Sequence, residues 1–264
     1  MNNTLEVILL GVIEGITEFL PISSTGHLLI AQHWLGPRSD MFNVAIQSGA
    51  MLAVVLIYWR RLLELFRNPM QPDNRDYLAK LGVSFGVTVL CGTIAGLLGF
   101  ELPEEVAPVA WALVIGALFI FLVEWWVRHR PSSETVTWTV AIGVGLAQMA
   151  AGIFPGLSRS LSTIFVAMLL GLSARPAATQ FAFLVGIPTM FAAGVFQYLE
   201  MSGQQVDHEP WADLALGFAV SAIVAFVVVK WLLRFIQTHS FVPFAWYRLA
   251  VGLFLLTWVI PNGE

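Results

Sequence analysis

Glu14-Gly15-Ile16-Thr17-Glu18-Phe19-Leu20-Pro21-Ile22-Ser23-Ser24-Thr25-Gly26-His27 sets two carboxylates one helical turn apart, then a proline break, three hydroxyls and an imidazole. A second broken stretch, Pro155-Gly156-Leu157-Ser158-Arg159-Ser160, begins 134 positions beyond Pro21. Both lie in otherwise apolar surroundings. Ionisable groups at membrane depth are costly, and they usually face a cavity or one another. How the two stretches are read therefore depends on whether the chain lies in a membrane.

Composition answers that question. The 264 residues are 58% hydrophobic and 11% charged, with a mean hydropathy of +0.78. A soluble domain carries about 25% charged residues, so a single soluble core is excluded and a polytopic membrane protein is expected. Trp59 before Arg60 and Arg61, Trp125 and Trp126 before Arg128, and Trp231 after Lys230 read as interfacial anchors. A net charge of −4 offers nothing to a nucleic-acid partner. Cys91 is the single cysteine, so no intrachain disulfide forms. The first residues lack a basic region and a small-residue cleavage site, so no removable signal peptide is expected.

Six stretches, approximately 42–59, 78–99, 110–127, 180–199, 213–233 and 244–260, qualify as spans, because a crossing takes about 20 residues. Two further regions, about 5–35 and 138–173, are broken by Pro21 and by Pro155-Gly156, and read as re-entrant helical hairpins. Arg60, Arg61, Arg67, Arg75 and Lys80 follow the first span, Arg128 and Arg130 the third, and Lys230 and Arg234 close the fifth. The connections 100–109 and 200–213 carry Glu101, Glu104, Glu105, Asp207, Glu209 and Asp213 with no Lys or Arg. The basic ends are expected in the cytoplasm. The first hairpin then enters from outside and the second from the cytoplasm, with both chain ends outside.

The halves echo each other. At an offset of 134, Gly11 matches Gly145, Glu14 matches Gln148, Pro21 matches Pro155 and Ser24 matches Ser158; later, Ile115-Gly116 matches Val251-Gly252. One hairpin and three spans per half is an odd number of crossings, which turns the second half upside down. The expected fold is an all-α polytopic membrane protein, one integral membrane domain over 1–264. It has six transmembrane helices and two re-entrant hairpins, arranged as an inverted-topology repeat of approximately 1–130 and 138–264.

Glu14 and Glu18 share one helix face at i,i+4 spacing. Neighbouring carboxylates repel unless a cation or a shared proton intervenes, and Mg²⁺ is commonly held by one or two carboxylates plus substrate phosphate oxygens. A coupling proton or Na⁺, or a buried network without ligand, is the plainer reading. A helix starting after Pro21 presents free N–H groups that suit an anion, although Ser23 or Ser24 could simply cap it. His27 could be a general base to a serine or protonate a leaving group, against a merely structural histidine. Arg159 keeps its charge and matches phosphate oxygens bidentately, against a direct bridge to Glu14 or Glu18. Ser158, Ser160 and Thr163 surround it. An anion site facing a metal site inside a membrane fits a phosphorylated lipid.

These residues closely resemble the undecaprenyl-diphosphate phosphatase family associated with bacitracin resistance. The resemblance rests on the two quoted stretches, on Phe181 to Pro188, and on Phe241-Val242-Pro243-Phe244-Ala245-Trp246-Tyr247-Arg248, and it spans nearly the whole chain. One departure is Leu161-Ser162, where the family usually reads Gly-Ala; a stiffer bend is expected there. The resemblance implies hydrolysis of undecaprenyl diphosphate to the monophosphate carrier lipid and inorganic phosphate, with Mg²⁺ or Ca²⁺. That reaction recycles the carrier for peptidoglycan synthesis and confers bacitracin resistance. By similarity Glu14 and Glu18 would carry the metal and Arg159 the diphosphate. Ser23, Thr25, Gly26, Ser158, Ser160 and Thr163 would bind substrate, and Ser24 would be the nucleophile, assisted by His27. Attack by His27, or by a metal-bound water, stays open.

The partners expected are the polyprenyl diphosphate substrate and membrane lipids. A homodimer is compatible with the sequence, but no residue argues for it. The expected setting is the bacterial inner membrane, with the site opening to the periplasmic face. The rival reading is a secondary transporter or lipid flippase with a midplane anion site, because inverted repeats and broken helices are also transporter features.

Overall fold

The computed structural model describes residues 3–98, 106–201 and 209–260. Glu101, Glu104, Glu105 and Asp207, which entered the orientation argument, lie outside the described residues. Every regular element among the described residues is helical, as a lipid-embedded backbone that must satisfy its own polar groups requires. In order these are α1 (Asn3–Thr17), α2 (Ser24–Leu35), α3 (Asp40–Ile57), α4 (Trp59–Arg67), α5 (Pro72–Leu97) and α6 (Val106–Arg128). Then come α7 (Trp138–Ile153), α8 (Arg159–Leu169), α9 (Arg175–Met201), α10 (Trp211–Thr238) and α11 (Val242–Phe254), which runs into a π-helical turn, Leu255–Val259.

Five of these helices, α3, α5, α6, α9 and, through Trp211–Thr238, α10, are long and apolar enough to cross a membrane. The sixth expected span differs in kind. Its regular part, α11, has 13 residues, and the chain continues only by widening into the π turn. The sequence reading also ran the first span to 59 and missed α4, which starts there as a separate helix. Its residues Trp59 and Phe66 are exposed while Leu65 is buried. With Arg60, Arg61 and Arg67 it has the basic and aromatic make-up of a helix lying in the membrane interface.

Both breaks fall where the prolines put them. Thr17 ends α1 with its hydroxyl donating back to Ile13 O at 2.7 Å, and α2 starts only at Ser24. The two residues before the restarts, Ser23 (φ 75°) and Ser158 (φ 71°), are the non-glycine residues with positive φ among the described residues. Such backbone costs on the order of 1–3 kcal/mol and persists only where its surroundings hold it. Each serine also caps the helix it precedes: Ser23 Oγ accepts from Gly26 N at 3.2 Å, and Ser158 Oγ from Leu161 N at 3.3 Å. By geometry, then, Ser158 corresponds to Ser23, one position away from the Ser24 match expected from the 134 offset. Ser24 thereby corresponds to Arg159.

Small residues let the broken helices sit close to long ones. On α1, Gly15 faces α10, where an added Cβ would stand 2.8 Å from Ser221 O. On α7, Gly145 faces α5 in the same way, at 2.5 Å from Ser84 O. Polar clamps close the two ends of the bundle. At one, Arg38 reaches Asn3 Oδ1 at 2.6 Å and Glu6 Oε2 at 3.0 Å. At the other, Arg175 bonds Glu124 through both of its carboxylate oxygens, and Glu124 also accepts from Phe241 N at 2.8 Å. Between them the apolar core gathers around α8, with Leu161, Ile164 and Phe165 fully buried.

Candidate active site

The end of α1 and the start of α2 form one wall. Glu14 is wholly buried, and neither of its carboxylate oxygens has a hydrogen-bond partner among the described residues. Glu18, one turn on and 8% exposed, accepts a 2.5 Å hydrogen bond from Ser24 Oγ. Ser24 is the first residue of α2. Its position gives the hydroxyl both a carboxylate acceptor and the amide end of a helix, where negative charge is favoured. Ser23 and Gly26 are spent on each other in the cap, so the Gly26 amide expected to meet substrate is already occupied.

The start of α8 forms the facing wall. Arg159 opens that helix. Among the described residues no ion pair joins it to Glu14 or Glu18, so the direct bridge considered from sequence is not made. Instead Glu18 and Arg159 line one small cavity of about 20 Å³ together with Ser160 and Thr163; its other side is apolar, with Phe19, Met51, Phe183 and Met190. Ser160 ties the walls together by donating to Leu20 O at 2.9 Å. Ser158 lies 3.0 Å from Ser160, oxygen to oxygen, and Thr163 donates to Arg159 O at 2.8 Å. Ser162, in the Leu161-Ser162 departure, donates to Ser158 O at 2.9 Å and so braces the bend.

Two expected residues stand apart. Thr25 is exposed and lines a separate pocket of about 260 Å³ with Gln32, Asn43 and Gln47. His27 does not meet Ser24. Its Nδ1 lies 2.6 Å from Ser23 O and its Nε2 lies 2.7 Å from Tyr247 Oη, with the two rings stacked at 5.7 Å. A carbonyl only accepts, so Nδ1 carries the proton and Nε2 takes the tyrosine hydroxyl's. Both ring nitrogens are therefore occupied, and the acceptor of the Ser24 proton is Glu18.

Tyr247 and Arg248 were quoted from sequence only as part of a similar segment. The signal that could have found Arg248 is the one that found Glu14, an ionisable residue within an apolar span. For a metal, the described residues contain no group of three or more His, Cys, Asp or Glu side chains. Glu14 and Glu18 alone suit Mg²⁺, which takes one or two carboxylates and completes its octahedron with water and phosphate oxygens. The orphaned Glu14 oxygens are what a cation would satisfy.

Comparison with known proteins gives a consistent answer. The family model for bacitracin resistance protein BacA matches residues 7–254. A protein of Rhizobium etli named undecaprenyl-diphosphatase is 57% identical over 249 residues, covering 94% of each chain. Proteins of the same name are 53% identical in Xanthomonas oryzae pv. oryzae, over 98% of each chain, and 52% identical in Xylella fastidiosa, over 96% of this chain and 97% of that one.

Proposed function

This chain belongs to the bacitracin resistance protein BacA family and, as a multi-pass membrane hydrolase, converts undecaprenyl diphosphate to undecaprenyl phosphate and inorganic phosphate, and we propose that it does so with Ser24 as nucleophile and Glu18 as its base. The 2.5 Å hydrogen bond from Ser24 Oγ to Glu18 Oε2 carries this reading, because a serine becomes nucleophilic when an adjacent base can take its proton.

In the first step Ser24 Oγ attacks the terminal phosphorus and its proton passes to Glu18. The bond from that phosphorus to the bridging oxygen breaks, and the lipid monophosphate leaves. Water then hydrolyses the phosphoserine, giving inorganic phosphate and restoring Ser24, so one water is consumed per turnover. Arg159 holds the phosphoryl oxygens with its fork, and charge developing there is stabilised without further reorganisation. Glu14 and Glu18 would hold Mg²⁺ or Ca²⁺, which supplies charge neutralisation to the phosphate oxygens when bound. His27 and Tyr247 steady the start of α2, with His27 gripping the strained Ser23 carbonyl. Phe19, Met51, Phe183 and Met190 make the side of the cavity opposite the polar groups apolar.

The same proposal includes the finer topology: six transmembrane helices and two re-entrant hairpins in an inverted repeat, within the bacterial inner membrane and opening to the periplasm. It is supported by the twin strained serine caps and by the packing of α1 on α10 and of α7 on α5. Basic residues at the ends of α4 and α6 support the orientation. A homodimer also belongs to the proposal. The deciding experiment is phosphate release from farnesyl or undecaprenyl diphosphate by pure protein in detergent, with and without EDTA, followed by trapping of a labelled phosphoserine. Label at Ser24 supports the reading. Full turnover by Ser24→Ala would overturn the nucleophile.

A further inference from the structure

Arg248, on α11, is fully buried and forms no ion pair among the described residues. All its bonds go to backbone carbonyls. Nη1 donates to Pro21 O at 3.3 Å, Nη2 donates to Gly156 O at 3.1 Å and to Ala112 O at 2.7 Å, and Nε donates to Leu113 O at 3.3 Å. Pro21 lies in the break between α1 and α2, and Gly156 in the break between α7 and α8. The other two carbonyls belong to the middle of α6.

Breaking a helix at membrane depth frees carbonyls that lipid cannot satisfy. A guanidinium suits that need because it stays charged and offers five N–H donors in a fixed plane. One rigid group bonded to both breaks fixes the distance between them. One break leads into Ser24, beside Glu18, and the other into Arg159. Gly116 makes room for the fork, because a Cβ there would stand 2.2 Å from Nη2. The Ser160 bond to Leu20 O is the second tie between the breaks, but it is a single rotatable hydroxyl and sets no plane.

We propose that Arg248 is a positioning residue that holds the Glu18–Ser24 wall in register with the Arg159 wall, with Gly116 as the seat that admits it. This rests on the hydrolytic reading above and adds to it the part that aligns the two walls. Misplacement of reacting groups by about 1 Å costs on the order of 100-fold in rate. Arg248→Lys keeps the charge but loses the fork, and Gly116→Ala keeps the arginine but displaces it. Each is expected to lower kcat on farnesyl diphosphate about 100-fold, with KM changed less than about threefold.

The double variant is expected to be no worse than Arg248→Lys alone, since lysine has no Nη2 for the new methyl to strike. Losses that multiply in the double variant overturn the pairing of Gly116 with Arg248. Full kcat in Arg248→Lys, or in Gly116→Ala should the lysine variant fail to fold, overturns the positioning role. If wild-type protein releases no phosphate, it is the hydrolytic reading that fails. The same cycle read in thermal unfolding then decides the clamp: non-additive losses keep it, and additive ones overturn it.

Discussion

Ser24 and Glu18 are six residues apart in sequence and on opposite sides of the Pro21 break, Glu18 just beyond α1 and Ser24 opening α2, and the hydroxyl of Ser24 donates to the carboxylate of Glu18 at 2.5 Å. The break at Pro21 folds the chain back so that the first residue of α2 meets the residue that follows α1. The bond gives the hydroxyl proton a destination and leaves the imidazole of His27 to a different task. Ser24→Ala and Glu18→Gln are therefore expected to lower kcat for phosphate release at least about 1,000-fold each. Residues that act as one unit are non-additive, so the double variant should be no slower than the worse single one.

Arg159 opens α8 with no ion-paired carboxylate among the described residues, and lines the same cavity as Glu18. Lysine at this position would keep the charge but lose the bidentate geometry. Arg159→Lys is expected to cost about 10- to 100-fold in kcat/KM, roughly 1.4 kcal/mol per factor of ten, and Arg159→Ala more. Steady-state kinetics on farnesyl diphosphate measures both.

Glu14 has two buried carboxylate oxygens and no hydrogen-bond partner for either among the described residues. A cation held there with Glu18 predicts that EDTA abolishes turnover and Mg²⁺ restores it. Losing even a supporting residue of a metal site typically costs about 10- to 100-fold in affinity. Glu14→Gln should therefore raise the Mg²⁺ concentration for half-maximal activity at least tenfold. An unchanged Mg²⁺ titration would remove Glu14 from the metal site.

His27 joins the Ser23 carbonyl to Tyr247. Tyr247→Phe removes one of the two bonds and leaves the ring stacked, so about a tenfold loss in kcat is expected. Replacing His27 by Ala removes both bonds and the stacking, and should cost about 100-fold, the penalty of a displaced reacting group. A Tyr247→Phe loss as large as that of the His27 variant would mean the phenol itself takes part.

Close approach and open space make a contrasting pair of glycines. At Gly49 on α3 an added Cβ would lie 2.3 Å from Phe218 O of α10, whereas at Gly86 on α5 nothing lies within 4 Å. Overpacking typically costs about 1–3 kcal/mol, and backbone cannot yield as a side chain does. Gly49→Ala should lower the unfolding temperature in detergent, while Gly86→Ala should leave it unchanged or raise it slightly through helix propensity.

The hydropathy pattern found the five long helices, because length and apolarity are properties of a segment read alone. The same pattern missed α4 and did not show that α11 has only 13 regular residues before its π turn. Trp59-Arg60-Arg61 looks like the end of a span, and only the burial of Leu65 beside the exposed Trp59 and Phe66 reveals a further helix. Nothing in Leu255–Val259 announces a π turn. The two serines alike in cap geometry are Ser23 and Ser158, which the match of Ser24 to Ser158 does not pair. Sequence spacing counts residues, whereas the cap is recognised by the positive φ it adopts.

By itself the sequence determined the membrane setting and the positions of both breaks, and it singled out Glu14, Glu18, Ser24 and Arg159 as ionisable or hydroxyl groups at those breaks. Those follow from the cost of placing charge and proline in apolar helices. Tertiary structure alone decided how they pair. It hydrogen-bonded Ser24 to Glu18 and His27 to Tyr247, gave Arg159 no ion pair among the described residues, and set Arg248 across both breaks. Those choices depend on where separate helices approach within hydrogen-bonding distance, a length of about 3 Å that no spacing along the chain encodes.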